Sequence, residues 1–220
     1  MTASLEPQSE TPVQRDRRRD KRNRIVDAAI SVFARTGYHG ARISDIAGEA
    51  GIAYGLVYHY FKNKEEILNT IFEERWTGFL EAVDEIADGS TPTQDKLVSI
   101  AALILNAYRV RPEWVKVFVL EIQRSSRFAE PSQIRAVGRL FQTITRILHT
   151  GQASGELRRD LDPDVACYVL IGGLEIMITA LVLGVIRIEE QEQGKNEYYV
   201  KVAQTVVEIF LNGFSAGDRE

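Results

Sequence analysis

Residues 43–64 read ISDIAGEAGIAYGLVYHYFKNK, and this stretch decides the fold of the chain. Ala47, Gly51 and Val57 occupy the three positions where two helices joined by a tight turn have least freedom. The first helix needs a small residue where the second crosses it, and the turn needs a residue that tolerates φ > 0. The second helix then needs an apolar side chain facing back. Because so small a core has few uses other than holding one helix out toward a DNA groove, the spacing predicts a helix-turn-helix.

The composition is that of a soluble globular protein of one or two domains. The 220 residues are 45% hydrophobic and 26% charged. The single cysteine, Cys167, excludes a framework of disulfides within the chain and suits a reducing compartment. The N-terminus is polar and then basic, which is not the pattern of a signal peptide. We therefore expect a cytoplasmic protein.

The net charge of −4 conceals an uneven distribution of charge along the chain. Residues 1–64 hold eleven Lys and Arg against seven Asp and Glu, whereas residues 65–220 hold sixteen against twenty-four. The most basic piece, RDRRRDKRNR at residues 15–24, is either a solubilising tail or an arm that reaches DNA phosphates or a minor groove. Its position next to a helix-turn-helix favours the arm. The basic residues expected to act there are Arg17, Arg18, Arg19, Lys21 and Arg22.

Periodic apolar residues and helix-end signals predict an all-α chain of about nine helices, with no strand and no internal repeat. Besides the helix-turn-helix, we predict helices at about 19–36, 63–88, 92–110, 112–125, 131–151, 163–183 and 197–214. The predicted organisation is a disordered basic arm at 1–18, a three-helix DNA-binding domain at 19–63, and a ligand-binding and dimerisation bundle at 64–220. The long fourth helix joins the two domains. Asp162 and Pro163 are expected to cap the apolar helix that follows them.

Residues 165–186 form an apolar run, VACYVLIGGLEIMITALVLGVI, that is long enough to suggest a membrane span. Glu175 at its midpoint and the acidic residues before it argue against that interpretation, so we expect no membrane partner. A helix that is apolar all round is otherwise buried on both sides, here between its own bundle and a second subunit. The residues expected at this homodimer interface are Gly172, Gly173, Val202, Val206, Ile209 and Phe210.

Catalytic chemistry has little support in the sequence, and we expect no enzyme, no metal site and no cofactor. His39, His59 and His149 lie far apart and lack ligand spacing with Cys167. No phosphate-binding glycine loop or nucleophile elbow is present. A helical protein-interaction scaffold is the main alternative, and it would show no salt-dependent DNA affinity. A sequence-independent nucleoid protein is a third reading, which the acidic second part of the chain disfavours.

The residues from about Arg24 to Leu68 resemble the TetR family of bacterial transcriptional regulators. The resemblance includes the pairs Ala28-Ala29 and Gly37-Tyr38 and the run at 58–65, and it extends more loosely to SGELRRDLDP at 154–163. It implies a homodimer that binds a palindromic double-stranded operator as a repressor and releases it when a small molecule enters the C-terminal bundle. By the same resemblance, the DNA-binding positions are Arg42, Ser44, Tyr54, Gly55, Tyr58, His59, Tyr60 and Lys64.

Among these positions, Arg42 departs from the residue type usual in the family, and the role of Tyr60 is open. The family usually has Thr or Ser at position 42, where it forms a capping box with the acid three residues on, here Asp45. Arg42 cannot cap in that way, so we expect a frayed start to the second helix, with the guanidinium used on a phosphate or a guanine. Tyr60 is either a DNA contact or a structural link between helices three and four.

Ligand pockets of helical bundles are apolar with a few polar groups. The pocket candidates are Trp76, Phe79, Tyr108, Trp114, Phe118, Glu121, Arg124, Phe141, His149, Glu175 and Met177. Each aromatic residue could equally belong to ordinary core, and Glu121 and Glu175 could equally serve a helix-helix contact. The segments at 37–68 and 120–128 resemble family members that repress fatty-acid degradation and respond to acyl-CoA. That resemblance implies an acyl-CoA effector, whose phosphate Arg124 or Arg127 would meet.

Overall fold

The computed structural model describes residues 12–122, 131–186 and 196–212, which form nine α-helices and no strand. The first four are α1 (Pro12–Gly40), α2 (Ile43–Ala50), α3 (Tyr54–Val57) and α4 (Lys64–Asp88). The others are α5 (Thr93–Val110), α6 (Pro112–Val117), α7 (Pro131–Ser154), α8 (Pro163–Val182) and α9 (Asn196–Asn212). A π-helical segment, Phe118–Ile122, follows α6 directly. The predicted all-α fold is confirmed.

The chain divides into two compact units, residues 1–71 and 72–220, and the division falls inside α4. The predicted boundary between residues 63 and 64 coincides with the start of α4, whereas the division between the two units follows Ile71. The first two turns of α4 belong with the first unit because they contribute Ile67, Leu68 and Ile71 to buried positions. The rest of α4 supplies Phe72, Trp76 and other core residues to the second unit.

The first helix is longer than predicted. It begins at Pro12, so the prediction of disorder is wrong for residues 12–18, while residues 1–11 lie outside the described part of the chain. Arg and Lys are good helix formers, and an exposed ion pair one turn apart joins Arg19 to Asp16 at 3.7 Å. Regular helix ends at Gly37, where φ is 72°, at the residue predicted to stop it.

The second unit has one hydrophobic core, to which α4, α5, α7, α8 and α9 each contribute a buried stripe. On α8 the buried residues recur every three or four positions: Cys167, Leu170, Leu174, Ile178 and Leu181. Burial also raises the pKa of the Cys167 thiol, which therefore stays protonated and behaves as a core residue. The opposite side of the same helix is exposed, although it also holds apolar residues such as Val165, Val169 and Ile176.

Two helix starts in this unit are capped by carboxylates. The Asp162 carboxylate accepts hydrogen bonds from the backbone N–H groups of Asp164 at 2.9 Å and Val165 at 3.3 Å, which confirms the predicted cap of α8. At α5 the carboxylate comes from another part of the chain, because Glu156 accepts from the backbone N–H of Thr93 at 2.6 Å. This hydrogen bond lowers the pKa of Glu156.

Candidate DNA-binding surface and ligand cavity

The turn between α2 and α3 is built on Gly51, whose φ of 63° is accessible at little cost only to glycine. The N–H of Ile52 donates to the Ala47 carbonyl at 3.0 Å and closes the end of α2. Ala47 and Val57 are buried as the spacing predicted. The Arg24 guanidinium from α1 also donates to the Ala50 carbonyl at 2.6 Å, so the end of α2 is held by a side chain as well as by the turn.

The recognition helix, α3, presents a pair of tyrosines. Tyr54 and Tyr58 are 54% and 47% exposed, their rings meet edge to face with centroids 5.4 Å apart, and their hydroxyl oxygens lie 2.9 Å apart. The hydrogen bond to Tyr54 raises the pKa of Tyr58. One hydroxyl proton of the pair is therefore shared between the two oxygens, and the other remains able to reach a DNA acceptor.

The other predicted positions, in α3 and in the residues directly after it, separate into exposed and structural residues. His59 and Gly55 are exposed, and open space surrounds the position of a Cβ at Gly55. Tyr60 is half-buried and Phe61 is buried, which agrees with a structural part for both. Arg22 extends its guanidinium over the Phe61 ring, 5.5 Å from the centroid, so this predicted arm residue also supports the helix-turn-helix.

The expected fraying of α2 is wrong. Arg42 has no side-chain acceptor, yet its backbone N–H donates to the Asp45 carboxylate at 3.0 Å, which is the reciprocal half of a capping box. The helix is ordered from Ile43. Because the cap does not use the guanidinium, the exposed Arg42 side chain stays available beside Ser44, whose hydroxyl lies 3.4 Å from the Asp45 carboxylate.

Lys64, at the first residue of α4, has a structural role that its sequence position did not predict. Its ammonium donates to the carbonyls of Tyr38 and Ala41, the latter at 2.8 Å, and lies 3.5 Å from that of His39. It also lies 4.4 Å from the centroid of the Tyr38 ring. The lysine thus holds the end of α1 against α4, and a phosphate contact would require it to exchange one of these hydrogen bonds.

The predicted basic arm forms the first turns of α1, where Arg17, Arg18, Arg19 and Lys21 are all exposed. Helical geometry sets Arg18 and Arg22 on one face, four residues apart, and Arg17 and Lys21 on another. Since Arg22 lies over Phe61, the face shared with Arg18 continues toward the helix-turn-helix.

The second unit contains an apolar cavity of about 540 Å³ among α4, α5, α6, α7 and α8. Six of the predicted pocket residues line it: Trp76, Phe79, Trp114, Phe118, Phe141 and Glu175. The rings of Phe72, Trp76 and Phe118 are stacked, with centroids 5.0 to 6.1 Å apart, and the Trp76 indole N–H donates to the Ala136 carbonyl at 2.9 Å. The aromatic wall is therefore fixed in place.

Four other predicted pocket residues do not line this cavity. Tyr108 and Met177 pack against the core, and Glu121 lies half-buried in the π-helical segment. His149 lines a more polar depression between α7 and α8, together with Gln142, Arg146 and Tyr168. Arg124 and Arg127 lie outside the described residues.

Sequence reasoning missed the aliphatic part of the cavity wall. Its members are Ile104, Ala107, Val115, Val119, Val137, Leu140, Ile171, Leu174 and Ile178. These residues have the same spacing as ordinary core residues, so no sequence signal separates the two. The aromatic members of the wall could be predicted because large aromatic side chains commonly line ligand pockets.

The predicted dimer residues lie on α8 and α9. Gly173 and Ile209 are exposed, Gly172 is half-buried, and Val202, Val206 and Phe210 are half-buried against the core. The exposed face of α8 also holds Val165, Val169 and Ile176, none of which was predicted. Within the described residues, α8 is the one helix long and apolar enough to cross a membrane, a test that the core helix of a soluble protein also passes.

Family comparisons cover almost the whole described chain. Residues 25–71 match the model of bacterial regulatory proteins of the tetR family, and residues 72–204 match the C-terminal region of YsiA-like proteins. A fatty acid metabolism regulator protein of Bacillus subtilis is 28% identical over 196 residues, which cover 89% of this chain and 96% of the relative. The transcriptional repressor NicS of Pseudomonas putida is 30% identical over 150 residues, covering 67% and 69%.

A solved structure extends the likeness to three dimensions. The transcriptional regulator FadR from Bacillus subtilis, crystallised in complex with stearoyl-CoA, superposes with a TM-score of 0.74 at 27% identity. The match covers 88% of this chain and 99% of that one. These relatives are transcriptional regulators, which excludes the catalytic and scaffold readings of the sequence.

Proposed function

The chain belongs to the TetR family of bacterial regulatory proteins, and from that premise we propose that it is a homodimeric repressor released from a palindromic operator by a long-chain acyl-CoA. Membership makes it a ligand-responsive DNA-binding regulator. The operator, the dimer, the cytoplasmic location and the effector class are the parts proposed here.

The helix-turn-helix supports the DNA part of the proposal. Around α3, the exposed Tyr54, Tyr58 and His59 combine hydroxyl and imidazole groups able to reach phosphates and base edges. The Arg42 side chain takes no part in the cap of α2, so its positive charge can interact with DNA phosphates. The basic first turns of α1 supply further positive charge for the same purpose. Two copies of this surface in a dimer would enter successive major grooves about 34–36 Å apart.

The apolar cavity is the observation that carries the effector class. A volume of about 540 Å³ bounded by aromatic and aliphatic side chains suits a long hydrocarbon chain, and it falls within the ordinary range of ligand sites. Stearoyl-CoA, bound by the Bacillus subtilis relative, has such a chain. Helix α4 supplies Trp76 and Phe79 to the cavity and continues without a break to Lys64, so it is the element through which a ligand would change the DNA-binding unit.

The exposed apolar face of α8 supports the dimer rather than a membrane. Val169 and Ile176 are 62% and 69% exposed, and Gly172 and Gly173 between them leave room for a close helix. Glu175 interrupts the run at the depth where a lipid-facing carboxylate would be most costly. A second copy of the same face would bury these residues symmetrically.

Genomic fragments selected by the purified protein would provide the operator for a direct test. In a fluorescence anisotropy titration, acyl-CoA with a long chain should release the labelled operator, and free CoA at the same concentration should not. A thermal shift with the same compounds should follow the same order. Retention of the operator and an unchanged melting temperature across all chain lengths would contradict the acyl-CoA proposal while leaving the DNA-binding role intact.

A further inference from the structure

The wall of the apolar cavity holds two side-chain N–H donors among the described residues, the indoles of Trp76 and Trp114. The Trp76 N–H donates to the Ala136 carbonyl at 2.9 Å. The Trp114 Nε1 is closed off from water, and no group in the described part of the chain accepts a hydrogen bond from it. The two indoles therefore differ, because only the first has the acceptor that a buried N–H group needs.

A buried N–H group without an acceptor is unfavourable, since it has lost its hydrogen bonds to water and gained none from the protein. Native proteins rarely contain such groups. A phenylalanine at position 114 would present a similar apolar ring to the cavity without this cost. A ligand atom that accepts a hydrogen bond from the indole would remove the same cost, and it would do so beside a wall that otherwise offers apolar contacts.

The placement of Trp114 allows its N–H to turn toward the cavity. The residue as a whole is half-buried, so its enclosed nitrogen lies on one edge of an indole whose remaining atoms border more open space. The χ2 torsion of an aromatic side chain is broad and roughly two-fold, so a half-turn leads to a second favoured orientation. The Trp114 ring is tilted by 37° to that of Phe118 and lies outside the parallel stack of Phe118 on Trp76.

The proposed effector carries one acceptor next to its hydrocarbon chain. In a long-chain acyl thioester the carbonyl oxygen is the first polar atom after the hydrocarbon, so it follows the chain toward the apolar wall. The phosphates of CoA are charged and strongly hydrated, and an apolar wall disfavours them. The carbonyl oxygen is thus the acceptor that an indole N–H in this wall would meet.

We propose that Trp114 is a specificity-determining residue that donates a hydrogen bond to the carbonyl oxygen of the acyl thioester. The inference rests on the proposed function of the cavity, since it takes an acyl-CoA as the ligand. It adds a requirement for a carbonyl group beside the chain. Burial of the hydrocarbon cannot supply that requirement, because the hydrophobic effect is non-directional.

Dodecanoyl-CoA and S-dodecyl-CoA are matched probes, since the second is a thioether that lacks only the carbonyl oxygen. In calorimetric titrations the wild-type protein should bind the thioester at least about fivefold more tightly than the thioether. Trp114→Phe keeps an aromatic ring in the wall and removes the N–H. It should weaken binding of the thioester until the two affinities differ by about twofold or less.

Trp76→Phe is the matched control within the same wall. Because the Trp76 N–H is already bonded to Ala136, this variant should lower the melting temperature and weaken both probes alike, which leaves the ratio of their affinities at the wild-type value. Trp114→Phe should leave the melting temperature of the ligand-free protein unchanged or higher, since it removes a buried donor that has no acceptor in the described part of the chain.

The indole N–H resonances give a readout in the wild-type protein, since Trp76 and Trp114 are the two tryptophans of the chain. With isotopically labelled tryptophan, each indole gives one NMR cross-peak, and the two phenylalanine variants assign them. Dodecanoyl-CoA should move the Trp114 indole proton downfield, as a newly formed hydrogen bond does. S-dodecyl-CoA should move it less.

The outcomes separate the two proposals. Equal binding of the two probes by the wild type, an unchanged ratio in Trp114→Phe, or an equal shift of the Trp114 resonance with both probes would overturn the role of Trp114 and leave the cavity as an acyl site. Binding of neither probe, together with no release of the operator by acyl-CoA, would overturn the acyl effector and the role of Trp114 together.

Discussion

Single side chains in the helix-turn-helix unit connect elements that are distant in sequence. Arg24 closes the end of α2, Lys64 closes the end of α1, and Arg22 covers the Phe61 ring. All three are basic residues beside a DNA-binding surface, where charge alone would assign them to phosphates. Their hydrogen bonds and ring contact assign them to the structure that holds α3 in place.

The tyrosine pair should act as one unit in DNA binding. Tyr54→Phe and Tyr58→Phe each remove one hydroxyl of a hydrogen-bonded pair, so the second removal costs less than the first. We expect each single variant to weaken operator binding by about 0.5–1.5 kcal/mol and the double variant to weaken it by less than the sum. Anisotropy titrations with all four proteins measure the coupling. Strict additivity would show that the two hydroxyls act independently.

Replacement of Lys64 should reduce stability as well as DNA binding. Lys64→Met keeps the length of the side chain but leaves the carbonyls of Tyr38 and Ala41 without their charged donor, at a cost of about 1–3 kcal/mol. Urea denaturation followed by circular dichroism measures the change. Lys62→Met is the control, since Lys62 is exposed two residues earlier. An unchanged denaturation midpoint with lost operator binding would favour a phosphate contact instead.

At the scale of elements, polar contacts join the second half of α4 to α7. Asp84 pairs with Arg139 and accepts a hydrogen bond from the buried Thr143 hydroxyl at 2.9 Å, and one turn further Asp88 pairs with Arg146 at 2.9 Å. The Trp76 indole adds a bond to the α7 backbone. These contacts join α4 and α7, which supply two walls of the apolar cavity.

Asp84 and Asp88 should contribute unequally to the free energy of unfolding. Asp84→Ala leaves the buried Thr143 hydroxyl without its acceptor and should destabilise the protein by about 1–3 kcal/mol. Asp88→Ala removes an ion pair whose side chains are both more than half exposed, and it should cost under about 1 kcal/mol. Urea denaturation of the two variants compares them directly. Equal losses would mean that burial of Thr143 adds nothing to the Asp84 contact.

At the scale of the whole molecule, the family resemblance drawn from residues 24–68 is confirmed, and the matching models extend it to residue 204. The two units carry separate features, with the helix-turn-helix in one and the apolar cavity in the other. One continuous helix, α4, contributes to both. A regulator of this design responds to a ligand only if binding favours one arrangement of that helix over another.

The exposed face of α8 should control the oligomeric state. Ile176→Glu places a charge at its most exposed isoleucine and should convert a dimer into a monomer that keeps its helical content. Such a monomer should bind the operator at least about tenfold more weakly, because it presents one recognition helix instead of two. Light scattering and anisotropy measure both effects. Val110→Glu, which alters an equally apolar exposed residue at the end of α5, should remain dimeric.

A dimeric Ile176→Glu protein would place the interface elsewhere. In that case the apolar face of α8 would need another partner. The mass measured for the wild-type protein sets the reference for both variants.

The sequence by itself determined the order of the helices, the cap of α8 and the helix-turn-helix, because these depend on residues within a few positions of one another. Gly51 in its turn and Asp162 at the start of α8 show how local that information is. Only the tertiary structure decided what Lys64 binds, since its partners lie 23 to 26 residues away. It also decided which apolar residues border a cavity and which fill the core, and that one face of α8 is exposed. Those outcomes depend on how helices pack, and apolar periodicity is the same in every case.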